Sequence, residues 1–156
     1  MEEQRESPKK WEDILTYPVV GKLDETFLEE YYGRFFLELL DGNALIRKGI
    51  ESLKKQDVSR AKKCFALASG KETEGWASNA LGDLCYKEKN YGEAFAWYQK
   101  SAGQENPWGL YNLGFAWQYG LGTEKNRGQA IKNYKKAAKK GHLYGAHMLK
   151  CMGGEE

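Results

Sequence analysis

Three segments of this chain repeat one pattern, and that repetition restricts the available folds more than any other feature. Aligned on a small residue four positions before an aromatic one, the segments are "AKKCFALA" from Ala61, "AFAWYQKSA" from Ala94 and "AIKNYKKAA" from Ala130. Phe65, Tyr98 and Tyr134 then share a column, as do Ala68, Ser101 and Ala137. A glycine lies upstream of each: Gly49, Gly82 and Gly114, the last two within "NALGDLCY" and "YNLGFAWQY". The glycines are 33 and 32 residues apart and the alanines 33 and 36. Such a period, carried by Ala, Leu, Lys, Glu and aromatic residues, predicts a helical hairpin iterated three times. Small residues at fixed places let the first helix of each hairpin (helix A) approach the second (helix B), and the aromatic is expected to fill the gap to the next unit.

Start and stop signals give helix pairs near 44–55 and 58–69, 75–88 and 91–103, and 108–119 and 127–140, followed by a last helix near 143–152. The expected organisation is a leader (1–41), repeats at 42–74, 75–106 and 107–142, and a C-terminal capping helix with tail (143–156). In the leader, Ser7-Pro8 starts a short helix and Asp24 caps a longer one. The longer helix carries apolar rows Phe27, Tyr31, Phe35, Leu39 and Leu28, Tyr32, Phe36, Leu40. This face is expected to cover the first repeat, with dimerisation or docking into a groove as alternatives.

The second unit, "ASNALGDLCYKEKNYGEAFAWYQKSAGQENP", resembles a tetratricopeptide repeat in Leu81-Gly82, Asn90-Tyr91, Ala94, Tyr98 and Pro107. The third resembles the Sel-1-like variant, with Leu113-Gly114, the long connection "YGLGTEKNRGQA", Ala130, Tyr134 and "KAAKKG". The resemblance spans roughly residues 42–152, departs at Lys48, and implies an all-α, right-handed α-solenoid. The glycine-rich connection does not suit a dinucleotide fingerprint, because Lys125 stands where the third glycine belongs and no strand precedes it. Gly120 and Gly122 are instead expected to end a helix and turn the chain.

Composition narrows the function. No apolar stretch has the length of a membrane span, and the charged start "MEEQRESPKKWEDI" has no signal-peptide core. Three cysteines without paired spacing suggest reduced thiols and a cytoplasmic setting. Residues 1–41 carry 11 acidic and 5 basic side chains, and residues 42–156 carry 11 acidic and 19 basic ones. The body is therefore basic and the leader acidic.

No catalytic motif is present, and the acidic residues show no pairing suited to acid–base work, so neither an enzyme nor a cofactor is expected. His147 and Cys151 stand four apart, two ligands where a closed metal site needs four, so no metal is expected. His142, after the helix-ending Gly141, is expected at a helix terminus. Lys132, Lys135, Lys136, Lys139 and Lys140 crowd one helix. Such a stripe suits phosphate contacts, and an RNA-binding repeat is the alternative reading, but helix B of such hairpins faces solvent and base-reading side chains are missing.

The resemblance places a binding groove on the A helices. In the first unit it would be lined by Asn43, Ile46, Ile50 and Lys54. In the second and third it would be lined by Trp76, Asn79, Asp83, Tyr86, Lys87, Trp108, Tyr111, Asn112, Phe115 and Tyr119, with Tyr144 and His147 added by the cap. Such a stripe of aromatics and amides suits a partner protein or peptide. The carboxylate clamp of chaperone-tail-binding tetratricopeptide domains is not expected, because Ile46, Ile50, Ala80, Trp108 and Asn112 occupy its places. The implied function is non-enzymatic protein binding, as an adaptor, a chaperone or a bacterial immunity protein against a cognate toxin, by a monomer or a homodimer.

Overall fold

The computed structural model describes residues 41–153; the expected leader helices and the end of the tail lie outside the described residues. Among the described residues there are seven helices and no strand. The chain divides into two compact units, one ending at Lys71 and one starting at Glu72.

The first unit contains α1 (Gly42–Lys54) and α2 (Val58–Ser69). Asp41 caps α1 by accepting the Ala44 N–H at 2.8 Å, and Asp57 caps α2 through the Arg60 N–H at 3.0 Å. Leu45, Ala61, Cys64, Phe65 and Ala68 form its interior. The second unit contains α3 (Trp76–Lys87), α4 (Tyr91–Gly103), α5 (Pro107–Tyr119), α6 (Arg127–Lys139) and α7 (Leu143–Cys151). Within each unit consecutive helices pack side by side, and in the second unit α3 also touches α5, the next first helix in line. These spans lie within two residues of the expected ones.

The connections explain this agreement. Three of the tight links place a non-glycine residue in the left-handed region: Gln56, Lys89 and Glu105, with φ near 60°. Gly141 takes that place in the fourth, and the next residue in each link (Asp57, Asn90, Asn106, His142) begins a helix. Asn106 accepts the Gly109 N–H at 3.0 Å and sends its own amide to the Glu74 carbonyl at 2.8 Å. Ser101 donates to the Gly75 carbonyl at 2.7 Å, so the end of α4 holds the entry to α3.

Tyr98 packs in one cluster with Leu110 and Leu113 of the next hairpin, and Tyr134 in another with Leu149 and Met152, but the column aromatics also serve their own hairpins. Each turns onto the glycine of its own hairpin. A Cβ on Gly49 would lie 2.5 Å from Phe65 Cε1, one on Gly82 2.6 Å from Tyr98 Cδ1, and one on Gly114 2.9 Å from Tyr134 Cδ1. The missing Cβ is the space the ring occupies, so each glycine–aromatic pair sets how closely its two helices approach. Within the second unit the neighbouring hairpin is also met by small residues and by Leu110, Leu113, Phe95 and Trp117; the last two rings meet edge to face at 5.1 Å.

The long connection behaves as the glycines suggest. Gly120 ends α5 at φ 67°, and Gly122 turns at φ 71°. Asn126 then closes the loop, its N–H donating to the Trp117 carbonyl at 2.9 Å, and its side chain caps α6. The loop lies on the start of α4, where Gly122 meets the Tyr91 backbone.

Candidate functional site

Within the second unit, the residues expected to face a partner come together in two groups that share Tyr111. The first surrounds a cleft of about 230 Å³ between α3, α4 and α5, with Leu121 of the long connection at its rim. Asp83, Tyr86, Tyr111, Asn112 and Phe115 all line it. Tyr91, Phe95 and Tyr98 also line it, although the stripe did not include them, because they come from helix B. Tyr86 lies tilted on Tyr91 at 5.6 Å and edge-on to Phe115 at 6.4 Å. Tyr119, half exposed, packs on Phe115 at 4.6 Å just outside the cleft.

A polar ladder runs along the cleft. The Tyr98 hydroxyl donates to Asp83 Oδ1 at 2.8 Å, and Asn112 donates to Asn79 Oδ1 at 2.8 Å and to Asp83 Oδ1 at 3.4 Å. Asn79 and Asn112 come from successive repeats but not from matching positions: aligned on Gly82 and Gly114, Asn79 matches Tyr111 and Asn112 matches Ala80. Asn79 is buried beneath the surface, supporting Asn112 more than lining the cleft. Burial, and then the charge of Asp83, push the Tyr98 hydroxyl far above its ordinary value, so it remains a donor. Asp83 is itself raised. Loss of solvent around the carboxylate outweighs both the Tyr98 bond and the attraction of Lys87, although the residue as a whole keeps an exposed edge.

The second group is centred on His142. Its ring stands edge to face against Trp108 at 4.3 Å and stacks on Tyr111 at 4.9 Å, with Tyr144 at 6.0 Å. Nδ1 accepts the Gly145 N–H at 3.0 Å, so His142 caps α7. The neutral ring then carries its proton on Nε2, which is buried without a hydrogen-bond partner among the described residues. Burial holds the pKa of His142 below its ordinary value. The link pattern that placed Asp57 and Asn106 at helix starts also marks His142; its role as the hub of an aromatic cluster has no local signal.

Other expected residues stand apart. Trp76 is exposed at the start of α3, its indole N–H donating to Glu74 Oε2 at 3.1 Å. Lys87 is exposed, as are Asn43, Ile50 and Lys54 in the first unit, where Ile46 is half buried. Lys132, Lys135, Lys136 and Lys139 are exposed on α6; Lys140 follows it and pairs with Glu105 at 3.6 Å. His147 Nε2 lies 3.5 Å from Cys151 Sγ on the surface of α7. The described residues contain no group of three or more His, Cys, Asp or Glu side chains arranged to hold a metal, and no helix among them is long and apolar enough to cross a membrane.

Helical hairpins that repeat along the chain, two of them packed on each other within the second unit, define an all-α helical-repeat protein of the solenoid class. The Sel1 repeat family model matches residues 44–71, 78–106 and 109–142, more than half of the chain. The chain belongs to the Sel1 repeat family, whose repeats mediate protein–protein interaction. Among solved structures it is similar to a Sel1 repeat protein from Oxalobacter formigenes, with a TM-score of 0.63 at 24% identity over 70% of this chain and 88% of that one. That likeness supports the fold. No curated protein sequence matches significantly.

Proposed function

We propose that this chain is a non-enzymatic binding module that holds a segment of a partner protein along the A helices of its second unit. One observation carries the proposal. Among the described residues, the large aromatics left most exposed are Trp76, Tyr86, Trp108, Tyr119 and Tyr144, and all five lie on α3, α5 or α7. Aromatic side chains cost little entropy when a partner covers them and concentrate at interaction hot spots. Asp83, Tyr111, Asn112 and Phe115 add a cleft and polar anchors to the same stripe, with Asn79 supporting Asn112 from beneath. Its two histidines fit this role, one serving as a helix cap and the other lying at the surface. Adaptor, secretion-chaperone and immunity roles would all use this chemistry. A cytoplasmic setting accompanies it, because the chain's three cysteines have no paired spacing.

The test compares partner capture, read by mass spectrometry, between the wild-type chain and two kinds of variant. Tyr111→Ala and Tyr119→Ala should each weaken retention of the natural partner by about 2 kcal/mol or more, the hot-spot scale, while helicity stays unchanged. Lys135→Glu with Lys139→Glu should have much less effect. If the lysines are decisive and the tyrosines silent, the interaction moves to the basic face and an acidic partner or RNA becomes the better account.

A further inference from the structure

The cleft of the second unit has a chemical bias that a general protein-binding surface would not need. Among the described residues that line it, Asp83 is the one charged side chain; the others are aromatic or aliphatic apart from Asn112. At about 230 Å³ the space falls below the ~300–1,000 Å³ typical of small-molecule pockets. It is the size for one inserted side chain.

The carboxylate is unevenly satisfied. Oδ1 takes the Tyr98 hydroxyl at 2.8 Å and the Asn112 amide at 3.4 Å, whereas among the described residues Oδ2 has only the Asn79 amide at 3.5 Å. A carboxylate offers about four acceptor sites, so Oδ2 retains capacity for a donor arriving through the cleft mouth. Tyr98 and Asn112 also fix the carboxylate's orientation, which lowers the entropic cost of recognition. Loss of solvent outweighs both attractions on it, so the charge is held at some expense to the fold. A cation from outside would offset that expense.

We propose that this cleft is an arginine pocket. It takes one guanidinium from the partner segment, pairing it with Asp83 Oδ2 beside the rings of Tyr86, Tyr111 and Phe115. The inference rests on the protein-binding reading and specifies its partner's chemistry. Arginine fits better than lysine because its planar, weakly hydrated head stacks on aromatic faces and donates from a fixed fork, whereas an ammonium keeps its water.

The test titrates the full-length, ¹⁵N-labelled chain with N-acetyl-arginine amide and, separately, with N-acetyl-citrulline amide, its uncharged near-isostere. Arginine should shift the amide resonances of Asp83, Tyr86, Asn112 and Phe115 and bind about tenfold or more tightly than citrulline, the scale of one charge-assisted hydrogen bond. In Asp83→Asn, whose amide oxygen still accepts from Tyr98, the preference should vanish while the circular dichroism spectrum is retained. Equal binding of the two probes, shifts centred elsewhere, no binding of either, or a preference that survives Asp83→Asn would each overturn the proposal. The ligand comparison on the wild type decides the matter even if the variant fails to fold. Partner capture that needs Tyr111 but ignores Asp83→Asn would remove the arginine pocket and leave the protein-binding reading standing.

Discussion

Gly120 and Gly122 lie two residues apart in the same loop with nearly the same φ, yet replacing them with alanine should have unequal costs. Both substitutions place a Cβ in the left-handed region, which costs roughly 1–2 kcal/mol, partly offset by about 0.4–1 kcal/mol from a less flexible unfolded chain. At Gly120 the new methyl meets Lys125 Cγ at 3.0 Å, the middle of a side chain that can swing away. At Gly122 it overlaps the Tyr91 carbonyl oxygen and stands 2.6 Å from the carbonyl carbon and 3.0 Å from Gly92 Cα. That neighbour is the backbone at the start of α4 and has no rotamer to change. Relief requires moving the loop or the helix, with an overpacking cost of roughly 1–3 kcal/mol. Gly120→Ala should therefore cost about 1 kcal/mol and Gly122→Ala about 2–4 kcal/mol. Urea denaturation gives both values directly. In a thermal melt the difference of about 2 kcal/mol should separate the midpoints by roughly 4–8 °C. ATP should leave both melting temperatures unchanged. Equal costs would show that loop packing on α4 contributes nothing beyond the glycine conformation, and a nucleotide-dependent rise in melting temperature would overturn the assignment of this segment as a turn.

Two further predictions concern the tight links. His142 caps α7 as a neutral ring, and burial depresses its pKa in the fold. As pH falls below about 6.5 the unfolded chain takes up a proton that the folded site resists, so this contribution is full above that pH and declines until the pH reaches the depressed folded value. His142→Asn keeps a capping side chain and should flatten the difference between urea midpoints at pH 7.5 and 5.5; an unchanged difference would remove His142 from the account. Lys89, exposed and at φ 60°, should gain about 0.5–1 kcal/mol on replacement by glycine, because relief of left-handed strain exceeds the added unfolded-state freedom. A lower urea midpoint for Lys89→Gly would mean that the strain is already relieved locally.

Much of this architecture is written into short stretches of sequence, because helix boundaries are local events. A residue such as Asp57 or Asn106 stops one backbone pattern and accepts the first N–H groups of the next, and Pro107 fits the first turn of α5 whatever surrounds it. The repeat period is also visible, since identical hairpins need identical small residues where they touch. Which aromatics meet in the cleft was legible only as a stripe, because periodicity records the face of a helix and not what lies across from it. Tertiary structure brought Tyr98 back onto Gly82 of its own hairpin, and so carried its hydroxyl to Asp83, fifteen residues away. It also laid Asn112 against Asn79 and Asp83 of the preceding repeat, and gathered Trp108, Tyr111 and Tyr144 around His142. Those contacts depend on how closely and at what angle neighbouring helices cross. That crossing is set by many side chains packing at once, so no single segment encodes it, and the cleft exists only once α3, α4 and α5 have come together.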